Sequence, residues 1–220
     1  MDQQLLNSMR QSIVDGAPGK AATLAQNALA SGIDPLEIIN DGFLSGITLV
    51  GERYACREMF LPDLLASAEA MKAAVSVLEP EIRRRGARRE SVGRVVLGTA
   101  KGDIHDIGKN LVATLLSSNG FEVFDLGTSA SAEQFVAKAC EVNADIVGVS
   151  ALLTTTMVGQ KAVIEALDRE GLRPRTKVII GGAAVTGKWA TEIGADGYAH
   201  NAVHAVELAK SLMKSKAVTA

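Results

Sequence analysis

Asp103 and His105 stand two residues apart in the stretch Lys101-Gly102-Asp103-Ile104-His105-Asp106-Ile107-Gly108. An imidazole that binds a metal through one nitrogen generally passes its other N–H to a carboxylate or carbonyl. That fixes the tautomer and raises the basicity of the ligating nitrogen. An acid, a spacer and a histidine in an extended loop can form such a pair through the neighbouring backbone, although D-x-H alone is more often a surface or capping pair. Two further stretches offer groups suited to a ligand site. Ser150-Ala151-Leu152-Leu153-Thr154-Thr155-Thr156 is a run of hydroxyls, and Gly181-Gly182-Ala183 allows backbone to approach another group closely.

The elements that must position these residues are legible in the periodicity after Gly93. Runs at Arg94–Ala100, Phe121–Leu126, Asp145–Ser150, Lys177–Ile180 and Asp196–Ala199 read as strands. Helical stretches follow them at Gly108–Asn119, Glu133–Val142 and Val158–Gly171, then a short one after Gly182 and a closing one at Ala202–Lys214. Strands alternating with helices predict a right-handed parallel sheet covered on both faces, a flavodoxin- or Rossmann-like α/β fold. Five strands suit the order 2-1-3-4-5, which places a ligand outside the carboxyl ends of strands 1 and 3. The three polar stretches lie after strands 1, 3 and 4, so they should converge on one crevice.

The first part of the chain carries helical signals only. Leu5, Leu6, Met9 and Ile13 follow helical spacing up to Gly16-Ala17-Pro18-Gly19, and Ala21–Ala30 forms a second helix. Asp34-Pro35 is a capping pair that starts a third, from Leu36 toward Ala55, and Pro62 starts a fourth that runs to about Arg84. These predict a four-helix bundle over residues 1–86, a solvated arginine-rich linker at 87–92 and the α/β domain at 93–220.

Composition narrows the function classes. The 220 residues are 47% hydrophobic and 22% charged, average for a globular chain. A net charge of −2 gives no basic surface for nucleic acid or an anionic membrane. The N-terminus lacks a secretory pattern and no apolar run approaches the ~20 residues that cross a bilayer, so a cytoplasmic protein is expected. Cys56 and Cys140 are too few for a disulfide framework and read as buried free thiols. His200 and His204, at i, i+4 on the closing helix, read as solvent-facing or capping rather than zinc ligands. A metal phosphohydrolase would need more His and Asp ligands. A phospho-acceptor role for Asp103 leaves the later spacings unexplained, and a nicotinamide site would need G-x-G-x-x-G after strand 1.

Spacing ties the three stretches together. Asp103-x-His105-x-x-Gly108 is followed by 41 positions and then Ser150-x-Leu152, and 28 more lead to Gly181-Gly182. This resembles the signature of the B12-binding domain of cobalamin-dependent methyltransferases and mutases. Gly51–Pro62 and Ala66–Ala74 resemble the helical cap of methionine synthase and of the small corrinoid proteins of methanogenic and acetogenic methyl transfer, so the resemblance covers the whole chain. It implies that the cofactor's benzimidazole leaves cobalt and that His105 becomes the lower axial ligand. Asp103 would be its hydrogen-bond acceptor, and Thr156, where methionine synthase has Ser, would extend the relay.

By the same resemblance the cofactor is held by Gly102, Ile104, Asp106, Ile107, Gly108, Ser150, Leu152, Thr154, Gly181, Gly182 and Ala183, while Tyr54, Leu61 and Leu64 cap the methyl-bearing face. Gly127 is equally well an ordinary turn glycine. The cap would swing on the Arg83–Glu90 segment. The expected role is a methyl carrier, not an enzyme by itself, with a cobalamin or related corrinoid passing through methylcobalamin, cob(I)alamin and cob(II)alamin states. A substrate:corrinoid methyltransferase acting on a methylamine, betaine or methoxyarene would load it. A second methyltransferase would unload it to coenzyme M or tetrahydrofolate, and a reductive activator would rescue it. A B12 sensor and an adenosylcobalamin mutase subunit are the alternatives. The first usually carries a DNA-binding segment and often a Trp in the cap, and the second usually lacks the helical cap.

Overall fold

The computed structural model describes residues 1–84 and 91–219. The chain divides into two compact units, Met1–Glu90 and Ser91–Ala220. Of the linker expected at 87–92 and the hinge expected at Arg83–Glu90, residues 85–90 lie outside the described residues.

The first unit is helical: α1 (Gln3–Val14), α2 (Pro18–Ala30), α3 (Pro35–Glu37), a π-helical segment (Ile38–Phe43), α4 (Leu44–Ala55) and α5 (Leu61–Arg84). Asp34 starts α3 as expected, its Oδ1 accepting from the amides of Leu36 and Glu37 at 2.8 and 3.3 Å. The helix expected to run unbroken from Leu36 instead contains the π segment, just where the chain meets α1. A Cβ on Gly42 would lie 2.5 Å from Met9 Sδ, and one on Gly46 would lie 2.7 Å from the Arg10 carbonyl oxygen. The two glycines, four apart, form the notch into which α1 packs. Met9, Ile13, Ile38, Phe43, Met71 and Leu78 are fully buried around this crossing. Ala21, Ala25 and Ala28 of α2 share the core with Ala70 and Ala74 of α5, small residues that let the two helices approach closely.

The second unit is α/β: β1 (Arg94–Thr99), α6 (Ile107–Ser118), β2 (Glu122–Asp125), α7 (Ala132–Val142), β3 (Ile146–Ser150), α8 (Val158–Arg169), β4 (Lys177–Gly181), α9 (Gly187–Ile193), β5 (Gly197–Ala199) and α10 (Ala202–Thr219). All strand pairs are parallel and the order is β2-β1-β3-β4-β5, as expected. β-Branched strand residues are buried on both faces, and Val96, Val147, Val178 and Ile180 join Phe135 and Leu167 in one core cluster. Registration brings the strand ends level. Thr99 pairs with Ser150, Ser150 with Gly181, and Gly181 with Ala199, so four strands finish in one row. The loops that follow must emerge side by side from that edge.

Among the described residues no helix is long and apolar enough to cross a membrane. The cysteines correct an expectation, since both are exposed. Cys140 lies on α7, whose buried positions are Phe135 and Ala139, so the neighbouring residue is turned to solvent. Cys56 follows the last turn of α4, where no core face remains to receive it.

Candidate functional site at the carboxyl edge of the sheet

The loop between β1 and α6 is held on several sides. The amide of Asp103 closes a turn on the Ala100 carbonyl at 3.0 Å, and Gly102 takes φ +83°, which glycine tolerates at no steric cost. The Thr99 hydroxyl, at the end of β1, donates to the His105 carbonyl at 3.3 Å. Inside this loop Asp103 is 1% exposed, yet its carboxylate accepts four hydrogen bonds. Oδ1 receives the His105 amide at 3.0 Å and stands 2.7 Å from His105 Nδ1. Oδ2 receives the Leu152 amide at 2.7 Å and the Thr156 hydroxyl at 2.6 Å.

The β3–α8 loop therefore closes onto Asp103 from the other side and brings together two stretches 49 and 53 residues apart in sequence. Burial alone would oppose ionisation of Asp103. The Thr156 hydroxyl, the amides of His105 and Leu152 and the His105 ring outweigh it and hold the carboxyl well below the usual carboxylate range. An ionised Asp103 makes Nδ1 the proton-bearing nitrogen of a neutral His105 and leaves Nε2 with its lone pair.

The His105 side chain is 46% exposed, and among the described residues Nε2 makes no hydrogen bond. No group of three or more His, Cys, Asp or Glu side chains able to hold a metal occurs among the described residues, and at this edge they present the single imidazole of His105. Around it, large apolar side chains face solvent: Ile104 is 74% exposed, Ile107 88%, Leu153 45% and Leu152 37%. Gly108, in the first turn of α6, has nothing within 4 Å of where a Cβ would stand. A solvated nitrogen donor set among exposed aliphatics suits a broad apolar macrocycle carrying one metal at its centre, and the residues present fit a corrin in that sense.

The other expected residues fall in place unevenly. Ser150 ends β3 beside Gly181, and Thr154 is exposed in the β3–α8 loop. Neither hydroxyl has a hydrogen-bond partner among the described residues. Asp106 precedes α6 and accepts from the Asn110 side chain at 3.0 Å. Ala183 is exposed after the paired glycines. Those glycines meet neighbours within the chain itself. A Cβ on Gly182, at φ +130°, would stand 1.8 Å from the Ala151 carbonyl oxygen, and one on Gly181 would stand 3.0 Å from that of Ala199. The two residues thus let the β3 and β4 loops close on each other.

Leu64 is buried at 2% exposure, Leu61 is 43% exposed and Tyr54 is half-buried, all in the helical unit. His200 corrects another expectation: it precedes α10 rather than lying on it. Its ring lies against that of His204 at a centroid distance of 4.5 Å, tilted by 35°, while the His204 amide donates to Asn201 Oδ1 at 2.8 Å.

Sequence reasoning missed Thr99 and Ser129, which hold the His105 loop, and Gln160. The side-chain amide of Gln160 donates to the carbonyls of Val149 and Gly181 at 2.9 and 3.1 Å, and its oxygen accepts from the Trp189 indole N–H at 3.0 Å. A glutamine in an otherwise apolar helix stripe was the available signal for this staple.

Comparison with known proteins bears on the family and the fold. Two family models, both described as B12 binding domain, match residues 93–207 and residues 5–79. A corrinoid protein of Desulfitobacterium hafniense is 49% identical over 97% of this chain and 99% of its own length. Trimethylamine corrinoid protein 2 of Methanosarcina acetivorans is 44% identical over 97% and 98%. Among solved structures, a chain of the methanol:cobalamin methyltransferase complex of Methanosarcina barkeri aligns with a TM-score of 0.86 at 30% identity, covering 97% of this chain and 81% of that one. The sheet order, the imidazole at its carboxyl edge and the family match define a B12-binding protein. Within that class, the chain belongs to the family of corrinoid proteins.

Proposed function

We propose that this chain is a methyl-carrying corrinoid protein of a cytoplasmic methyltransferase system, with no catalytic activity of its own. A substrate-specific methyltransferase, acting on a methylated amine, betaine or methoxyarene, loads it. A second methyltransferase passes the methyl group to a thiol such as coenzyme M or to tetrahydrofolate, and a reductive activator restores carriers that have lost an electron. The observation that carries this reading is the solvent-facing His105 imidazole backed by the buried, fourfold hydrogen-bonded Asp103. Relatives named for trimethylamine and dimethylamine systems and a structural relative in a methanol:cobalamin methyltransferase complex support the partner class.

When bound, the corrinoid supplies a cobalt centre that accepts and releases methyl groups. The residues of this chain hold and tune it. His105 presents the Nε2 lone pair. Asp103 keeps the proton on Nδ1 and orients the ring, and Thr156 and the Leu152 amide fix Asp103 in turn. The loop Gly102–Gly108 with Ile104, Asp106 and Ile107, together with Ser150, Leu152, Thr154, Gly181, Gly182 and Ala183 at the neighbouring strand ends, supplies the surface toward the macrocycle and its nucleotide.

The test is the visible spectrum of the full chain reconstituted with hydroxocobalamin, for wild type and His105→Ala. A spectrum with the benzimidazole displaced and an imidazole in its place, lost in the variant, is expected. A spectrum unchanged by His105→Ala would overturn the reading.

A further inference from the structure

We infer that Ser129, in the loop between β2 and α7, is a positioning residue for His105, clamping the turn that carries Asp103; the role rests on the reading of His105 as a cobalt ligand. Ser129 adopts φ +54°, one of three described non-glycine residues at positive φ with Arg57 and Asn143. Asn143 caps the C-terminus of α7, where a left-handed residue is common. Ser129 ends no helix, and its conformation is accounted for by what it touches. Its hydroxyl oxygen accepts from the Gly102 amide at 2.9 Å, while its own amide donates to the Asp103 carbonyl at 2.9 Å.

One residue thus holds both ends of the Gly102–Asp103 pair, and Gly102 faces it in a left-handed conformation of its own at φ +83°. The residues behind the clamp are themselves tied to the sheet. Ala130, 2% exposed, bridges to Ala100 and donates to the Thr99 carbonyl at 2.9 Å. Ser131 then begins α7 with a capping box to Gln134.

Stability is a poor explanation for this arrangement. Both Ser129 and Gly102 are exposed, so their hydrogen bonds exchange with water at little net gain, and a left-handed serine is sterically disfavoured. Strain of this kind persists where neighbouring structure over-determines it, commonly beside a functional site. Here the result is a fixed direction for the peptide leading into Asp103, and through the Asp103–His105 pair, for the imidazole.

The test loads the full-length chain with cob(II)alamin and reads the ratio of nitrogen-ligated to unligated cobalt by electron paramagnetic resonance, under one set of conditions for wild type and variants. Ser129→Ala should lower that ratio about twofold, the low end of what one hydrogen bond contributes, with a melting temperature within a few degrees of wild type. Ser129→Gly keeps the backbone conformation without the oxygen and should match Ser129→Ala. Ser129→Asp retains an acceptor and tolerates the left-handed region, and should restore the wild-type ratio. A Ser129→Ala or Ser129→Gly ratio equal to wild type overturns the inference while leaving His105 as ligand. A wild-type protein with no nitrogen ligation at all overturns the reading of His105, and the role of Ser129 with it.

Discussion

Asp103→Asn probes the arrangement beneath His105 without changing its size. The carboxylate accepts at both oxygens, two donors to each: the amide and ring of His105 on Oδ1, the Leu152 amide and Thr156 hydroxyl on Oδ2. Asparagine offers one oxygen and one NH2, so whichever way it turns, a backbone N–H faces another donor. With the NH2 toward His105, the His105 amide loses its partner, and Nδ1 can accept only if the ring proton moves to Nε2, the nitrogen that must stay free. With the NH2 toward Leu152, that amide is orphaned instead, while the Thr156 hydroxyl can turn to the Leu153 carbonyl, already 3.0 Å away.

Hydrogen bonds to a charged group contribute about 1.5–3 kcal/mol each. Two are lost, and the return from no longer burying a charge is partial, so the expected destabilisation is about 2–4 kcal/mol. Urea unfolding of the cofactor-free chain measures it, and the spectrum of the reconstituted variant should show a smaller share of imidazole-ligated cobalt. A variant within about 0.5 kcal/mol of wild type, with ligation unchanged, would refute the reasoning.

Other outcomes follow from the same geometry. Gly182→Ala places a Cβ 1.8 Å from the Ala151 carbonyl oxygen at φ +130°, so a loss of at least about 3 kcal/mol or failure to fold is expected in denaturant titration. Gly108→Ala meets nothing within 4 Å and sits in a helix, so its stability should hold or rise by up to about 1 kcal/mol while its affinity for hydroxocobalamin falls in an equilibrium titration. At the opposite edge of the sheet, burial would raise the carboxyl pKa of Asp196. The amide of Val178 with Arg173 and Lys177 more than offsets this and lowers it. A lowered folded pKa stabilises fully above the unfolded value of about 3.9, and this contribution disappears as pH falls through the folded value. Asp196→Asn should therefore be less stable than wild type at neutral pH, and the gap should narrow on acidification, as followed by unfolding midpoints.

The sheet was legible because each strand is a short apolar run bounded by turn residues, and because a helix between successive strands forces parallel pairing. The three polar stretches were legible as one site for the same reason: the order 2-1-3-4-5 leaves their loops no other edge. What escaped is whatever depends on contacts between elements. The π segment at Ile38–Phe43 answers to α1 packing on Gly42 and Gly46, and the local spacing from Leu36 to Ala55 is simply helical. Ser129 sits in a loop whose residue types suggest only a turn, and its importance comes from two bonds to residues 26 and 27 positions earlier. Gly181 and Gly182 read as places where backbone can approach a cofactor, and nothing in the sequence shows that a Cβ there would also run into the Ala151 and Ala199 carbonyls. The cysteines were placed by the habits of their residue type, and on α7 the helix phase decides against burial.

The most direct measurement uses chain uniformly labelled with nitrogen-15 and loaded with unlabelled cobalamin, reduced to the cob(II) state and examined by electron paramagnetic resonance. Ligation by His105 predicts that each cobalt line splits into a doublet, from the spin-half nucleus of the labelled imidazole. A triplet, from an unlabelled benzimidazole nitrogen still on the metal, or no splitting at all, would contradict the account.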